Sequence, residues 1–495
     1  MVLSMYNSIQ QFIEKDVKEI ENILGQLLTG EKDADDLSKE VVNRVMTLAN
    51  RWICEMYEKM DEEIRESISR KNNWTIEKRN EPKELLDIVG TLHFKRTGYE
   101  DKNTGEYIYL LDKILGIEGH QRITLGAAAK ILEESILTSY EKGGKAASPT
   151  DAASKQSVKK LVHETIIEFP PVEVKEKKKM CHLHIVADED HVSAQFWDHK
   201  GDLEENSVGN KINTIMPKII VLYEDVMNES GEKSKNPRYS LVGKHTFTGV
   251  YKGRAANLEF WEEVRAYIEQ NYDTEVLERV YIAGDGAAWI KIGTEVLENS
   301  RFVLDKFHMM KYINTSATHL FDSADDVKSE IWTCIEEADK KGLKEIYEKI
   351  LNVTELGNKY DEVAKARRYL LNHWDGIKIR VTEAGSCWKC CAEGQVSHVL
   401  SARLSSRPMG WSELGCHKMA QLRAYHWNGG KVIDLLKYQK KKKVQEERKQ
   451  EQEALIKELR KRQSGWGYEE HMYGEIPGIE KHSMKWMRDL IHKAL

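Results

Sequence analysis

Three acidic residues stand where strands could deliver them to one place. Asp188 follows the apolar run LHIVA, Asp285 follows VYIAG, and Glu393 opens the small-residue stretch AEGQVSHVLSARLSS. Hard carboxylate oxygens suit Mg2+, which takes one or two of them and keeps its other positions for water and substrate phosphate. Two such ions held side by side orient an attacking oxygen and stabilise a leaving one in phosphodiester chemistry. The acids therefore predict a metal site for two Mg2+ ions, with Mn2+ as a substitute, and the ligands Asp188, Asp285 and Glu393. ADEDH also offers Glu189 and Asp190, and strand alternation puts Asp188 and Asp190 on one face. Asp188 is the chosen residue because it continues the apolar run directly. Asp285 lies between Gly284 and Gly286, small neighbours that let a phosphate or another backbone approach closely. A phosphatase reading of GDG wants a further Asp or Asn one helical turn on, where this chain has Trp289.

Other residues carry weaker signals. CWKCC places Cys387 and Cys390 at CxxC spacing, with Cys416 and His417 downstream, a set from which a zinc site can be drawn. Only one half has paired spacing, so packing thiols are the expected reading. Arg403, Arg407, Lys418 and Arg423 interleave with aromatic residues after the third acid. That pattern suits backbone phosphate and unpaired bases, and equally a helical pair with snorkelling arginines. In residues 437–463 basic side chains outnumber acidic ones 11 to 5, either a solvated helix or a phosphate-contacting one.

These residues need elements to position them. A chain of 495 residues exceeds the roughly 250–300 at which single cores stop growing. Charged residues make up 32% and prolines number eight, which predicts a helix-rich protein with a polar surface. The net charge of −6 gives no overall pull towards nucleic acid. Seven irregularly spaced cysteines read as reduced thiols, and no apolar run is long enough to span a membrane, so a cytoplasmic protein is expected.

Apolar periodicity predicts a helical arm over 1–90, a packing or oligomer-forming element. GQLLTGEK at 25–32 nearly matches a phosphate loop, but Glu31 stands where lysine belongs. A β-hairpin segment over 91–118 turns at Asn103–Gly105. Residues 119–170 fit a candidate helix-turn-helix DNA-binding domain whose second helix presents Lys155, Gln156, Lys159 and Lys160, or an ordinary packed helical pair. After a charged, proline-bearing linker, short β-branched runs alternate with helical patterns. They predict an α/β core with a mixed sheet flanked by helices over 175–320 and 376–430, interrupted by an all-helical insertion at 321–375 and followed by basic C-terminal helices at 431–495.

An acid triad whose second and third members are separated by a helical block resembles the DDE transposases with an RNase H-like core, especially the Mutator-like group. Four passages carry the resemblance: IVADEDHVSAQ, AGDGAAWI, LDKFHMMKYI and CAEGQVSHVLSARLSSRPMGW. Asp305 and His308 match that group's pattern of Asp or Cys followed three residues later by His. The order of elements, upstream hairpin included, is most similar to the bacterial insertion-sequence transposases of the Lre group. The resemblance implies a prokaryotic, nucleoid-associated enzyme that cuts DNA at element ends and joins the freed 3′ hydroxyl to target DNA, working as a homo-oligomer with no membrane contact. Asp188, Asp285 and Glu393 would hold metal, while Asp305 and His308 would support the site or touch DNA. His308 also reads as a satisfied core histidine. Two rivals remain: an RNase H-like nuclease that only hydrolyses, and a non-catalytic DNA-binding descendant of a transposase.

Overall fold

A computed structural model describes residues 6–167, 176–195, 204–205, 211–230, 237–383, 392–407 and 409–464. Cys387, Cys390 and Cys391, much of the charged linker and residues 465–495 lie outside these. Residues 1–437 form one compact unit and 438–495 a second.

The centre of the first unit is a five-stranded mixed sheet. Its strands are β1 (His182–Glu189), β2 (Lys218–Tyr223), β3 (His245–Gly249), β4 (Arg279–Gly284) and β5 (Ser300–Leu304), in spatial order β3-β2-β1-β4-β5. β1, β2 and β3 form an antiparallel meander, whereas β4 lies parallel to β1, and β5 parallel to β4. The runs HLHIVADE and KIIVLY are apolar without alternation because both faces are covered. On one face, α1 (Gly253–Asn271) packs Phe260, Trp261, Val264 and Ile268 against Leu183, Ile185, Ala187 and Ile282. Burial of that apolar surface, at about 25 cal/mol per Å2, holds this layer to the sheet.

The other face is covered from both ends of the unit. Val396, Leu400, Met419 and Leu422 come from downstream, and Ala128, Leu132, Ile136 and Val162 from upstream, all meeting Val186, Val221, Ala283 and Val303 in one cluster. Ala128, Leu132, Ile136 and Val162, from the range read as a candidate helix-turn-helix, are thus built into the sheet's core. The helices Leu125–Leu137, Tyr140–Lys145 and Lys155–Glu164 leave a connection, 146–154, longer than the three- to four-residue turn of a helix-turn-helix. Val158 and Val162 point inward as expected, and Lys155, Gln156 and Lys160 are exposed with Lys159 half-buried. Lys155 pairs with Glu141 at 2.7 Å and Lys160 with Glu164 at 3.7 Å, which partly neutralises that face.

After β5 come α2 (Lys306–Ala317), α3 (Ala324–Glu336), α4 (Lys340–Val353), α5 (Asn358–Asn372) and α6 (Trp374–Thr382). They enclose their own apolar cluster around Ile313, Ile331, Leu343, Tyr347 and Leu370. This helical block, expected over 321–375, begins on α2 at the edge of the sheet. The expected arm departs from its reading. Helix Ala34–Glu66 is long, but Trp74–Asp87 is a strand paired antiparallel with Gly90–Asp101. The turn at Asn103–Gly105 exists, yet it leads only to the two-residue strand Tyr107–Ile108. Register shifts between Ile76 and Glu81, with Asn80 at φ +56°, break the alternation that would have marked Trp74–Asp87 as β. Asp61 locks the arm to the hairpin by accepting from the Thr97 amide at 3.0 Å and its hydroxyl at 2.6 Å.

Beyond residue 437, helix Val432–Ser464 continues as the second unit, with Lys442 and Glu446 paired at 3.9 Å on its surface. No described helix is long and apolar enough to cross a membrane.

Two arginines staple the upstream helices to the downstream ones. Arg423, on α7 (Glu413–Trp427), donates to the carbonyls of Ile136 at 2.5 Å, His398 at 2.7 Å and Val399. Arg403 donates to the Ser135 carbonyl at 2.9 Å. Arg423→Met keeps most of the volume but removes the guanidinium donors to those carbonyls. It is expected to lower stability by roughly 2–4 kcal/mol, read as a shifted urea midpoint.

Candidate functional site

Three carboxylates converge at the C-terminal ends of the parallel strands. Val186 of β1 lies opposite Ala283 of β4, and Ala283 opposite Val303 of β5. Two residues further along each chain stand Asp188, Asp285 and Asp305. The two-residue period keeps each on the face of its strand that Val186, Ala283 and Val303 occupy. Asp188 is buried enough that its carboxyl is pushed up to about 6, first by desolvation and then by the negative charges of Asp285 and Asp305; the Glu189 amide, donating at 2.8 Å, and His308 oppose the shift.

Asp305 caps α2, its Oδ2 accepting from the amides of Phe307 at 2.9 Å and His308 at 3.3 Å. Its own amide donates to the Gly284 carbonyl at 2.9 Å, extending the parallel ladder. Burial works to raise its carboxyl, but the His308 side chain and amide and the nearby Arg380 guanidinium outweigh it and hold it below the usual range. His308 Nδ1 lies 3.4 Å from Asp305 Oδ2, an ion-pair distance, and that carboxylate raises the imidazole above its ordinary value against its burial. The acids around His308 thus favour its protonated form. His308 is half-buried and turned to the acids rather than satisfied in an apolar core.

The glycines flanking Asp285 answer to protein atoms. A Cβ at Gly284 would come within 2.9 Å of the Ala187 carbonyl and 2.7 Å of Ile290. Gly286 has φ +89°, and a Cβ there would lie 2.2 Å from His373 Nε2. The expected need, space for phosphate, gives way to close contact with β1 and with the helical insertion. Asp285 Oδ1 accepts from the Ala287 amide at 2.8 Å, and its carbonyl accepts from the Tyr369 hydroxyl of α5. Tyr369 stacks on Tyr312 with centroids 3.9 Å apart, and its carbonyl accepts from His373 Nδ1 at 2.8 Å. Tyr369, His373 and Arg380 are site residues that sequence reasoning missed; all come from the insertion, and no spacing relative to the acids announces them.

Asp190 has a different task. Its Oδ2 accepts from the hydroxyls of Ser401 at 3.0 Å and Ser405 at 2.7 Å, and its Oδ1 from the His191 amide at 2.8 Å. These bonds tie β1 to the helical stretch 392–404, whose middle, Val396–Ser401, is a π-helix, a widening frequent at functional sites. Glu393 lies on the first turn of that stretch, Ala392–Gln395, which packs on β1 and β2, and its side chain is exposed. Among the described residues no group of three His, Cys, Asp or Glu is close enough to hold a metal ion. The structure therefore brings together Asp188, Asp285, Asp305 and His308, and sets Glu393 beside β1 without closing it onto them.

The basic candidates divide. Arg403 is 6% exposed and is spent on Ser135 and on the rings of Trp411 and Tyr140, 4.8 and 5.5 Å away. Its expected contact with DNA phosphate is corrected to a buried support of the third-acid helix, and Arg423, 2% exposed, is likewise buried. Arg407 is exposed. Cys416 lies in the apolar cluster, and His417 Nδ1 accepts from the Val250 amide at 3.0 Å, so that nitrogen is occupied.

A carboxyl raised on folding weakens the folded state as pH climbs from its unfolded value, near 4, through its folded value near 6. Asp188→Asn removes that cost. In a chelator, the variant is expected to be more stable than the parent at pH 7.5 by up to roughly 3 kcal/mol, and equal to it at pH 4 or below, by thermal melts at the two pH values.

The family model for UPF0236, an uncharacterised protein family, matches residues 29–442. A UPF0236 protein of Caldanaerobacter subterraneus subsp. tengcongensis is 36% identical over 427 residues, covering 86% of this chain and 85% of its own. Another, encoded in the vanSb 3′ region of Streptococcus gallolyticus, is 23% identical over 428 residues, covering 82% and 86%. Among solved structures, the Drosophila P element transposase strand transfer complex aligns with 66% of this chain and 83% of its own at 12% identity, with a TM-score of 0.22. Matched over most of its length by the family model and by relatives above 30% identity, this chain belongs to the UPF0236 family.

Proposed function

We propose that the chain is a DNA transposase whose mixed sheet is an RNase H-like core and whose acids cut and join DNA. One observation carries the reading. Asp188 and Asp285 leave neighbouring parallel strands two residues beyond register partners, on one face, while Glu393 sits on a helix packed against the first of those strands. The strand order β3-β2-β1-β4-β5, with its antiparallel meander and two parallel additions, supports the RNase H-like assignment. A second support comes from the relatives: one Caldanaerobacter protein carries a name joining eleven gene designations, and another a name joining four, the kind of repetition a moving element leaves.

The donor set fits hard cations. Asp188 and Asp285 supply oxygen only, the donor type that a hard cation takes. Asp188, Asp285 and Glu393 are the residues assigned to hold Mg2+ or Mn2+, and the metal would supply the charge that stabilises the attacking and leaving oxygens. Asp305 fixes the start of α2 and holds His308 towards the acids, and Asp190 anchors the helix that carries Glu393. In the reaction, water oxygen bonds to phosphorus while the 3′ oxygen of the element strand leaves and takes up a proton. That 3′ hydroxyl then attacks a target phosphodiester and displaces its 3′ oxygen.

A plain nuclease of the same core would stop at the first step. A non-catalytic DNA-binding protein would have no use for acids gathered on one face of neighbouring strand ends. Incubating the purified protein with labelled element ends, target DNA and Mg2+ or Mn2+ tests all three readings. Cleavage and joined products are expected from the parent, with losses on the order of a hundredfold or more in Asp188→Asn, Asp285→Ala and Glu393→Gln. Hydrolysis without joining would favour the nuclease, and equal cleavage by parent and Asp285→Ala would overturn the assigned centre.

A further inference from the structure

The proposed chemistry needs a path for the DNA strand beside the acids, and the helical insertion offers one. An open groove of about 690 Å3 runs between α2 and α5, lined by Phe307, Met310, Lys311, Tyr312, Lys359 and Lys365 among others. It begins two residues from Asp305, where the ring of Phe307 is 44% exposed and stands edge-on to His308. The lining extends along α2 to Thr318, a rise of about 17 Å at 1.5 Å per residue. Three lysines line it against one carboxylate, Glu362, which Lys359 bridges at 2.9 Å. Lys311 and Lys365 are exposed, one on each wall.

Resting on the transposase reading, we infer that this groove holds single-stranded DNA next to the scissile phosphate, with Lys311 and Lys365 on its backbone and a base stacked on Phe307. Charge complementarity favours a polyanion. An exposed aromatic ring beside lysines suits an unpaired base, since every base offers a flat face and stacking tolerates any sequence. A duplex keeps its bases inside and leaves Phe307 nothing to stack on. The groove is also continuous with the acids. Tyr312 in its lining stacks on Tyr369, whose hydroxyl holds the Asp285 carbonyl, so a strand lying in the groove presses on the same ring pair that steadies the acid turn. Phe307 and Met310 are left exposed on α2, which turns Met309 and Ile313 to the insertion's core instead.

The test uses the full chain, a chelator in place of metal, and fluorescence anisotropy with a labelled oligothymidine of about ten nucleotides and a duplex of equal length. Lys311→Glu/Lys365→Glu is expected to weaken single-strand binding at least tenfold and to flatten the slope of log affinity against log salt by about 1 to 1.5. Phe307→Ala is expected to weaken it about tenfold with the salt slope unchanged. Lys344→Glu/Lys349→Glu, the same charge change elsewhere on the insertion, serves as the control and is expected to bind as the parent does. Thermal melts confirm that the variants fold. Parent-like single-strand binding by the groove variants, or losses equal for single strand and duplex, would overturn the inference. If groove-dependent binding holds while the parent gives no cleavage with Mg2+, the transposase reading fails and the groove stands; normal cleavage with groove-independent binding sinks the groove alone.

Discussion

The structure turns on like charge gathered at one edge of a sheet. Parallel pairing of β1, β4 and β5 brings three strand ends together, and the two-residue period gives Asp188, Asp285 and Asp305 the same face. Carboxylates in partial burial repel one another and lose hydration, so the surroundings must answer them. The answer is distributed: amides of Glu189, Ala287, Phe307 and His308 donate to the three side chains, the His308 imidazole lies at ion-pair distance from Asp305, and Arg380 stands near Asp305. The first turn of α2 starts at the same place, and Asp305 caps its Phe307 and His308 amides. What is left uncompensated falls on Asp188, whose carboxyl sits well above its ordinary range.

The helical insertion is part of that arrangement. It encloses its own core, yet Tyr369 and His373 reach back to the turn after β4 and Arg380 reaches Leu304 at the end of β5. GDG is written as it is because Gly284 must pass the β1 backbone and Gly286 must take a left-handed conformation beneath an imidazole. The insertion and the acid turn are therefore fitted to one another, through one hydroxyl and one ring.

The same residue types serve opposite ends in this chain. Arg403 and Arg423 are buried and tie segments more than 250 residues apart by donating to carbonyls of the helix Leu125–Leu137, whereas Arg407 and the lysines of the groove are exposed. Buried guanidinium groups are tolerated because carbonyl acceptors and aromatic faces take the place of water. The upstream helices join the sheet's core by this route, which makes residues 1–437 one unit although their sequence reads as several.

Local pattern was enough to determine the alternation of strand and helix around a mixed sheet, because apolar periodicity is a short-range property. It misread Trp74–Asp87, where a bulge hides the two-residue period, and it left Arg403 open between phosphate contact and helix packing. Only the tertiary structure decided that Asp190 anchors a helix while Asp188 faces the other acids, that Tyr369 and His373 belong to the site, and that Glu393 lies exposed beside β1. Each of those outcomes depends on which distant segment arrives at a given face, and burial and hydrogen-bond partners are fixed by that arrival, not by neighbours along the chain.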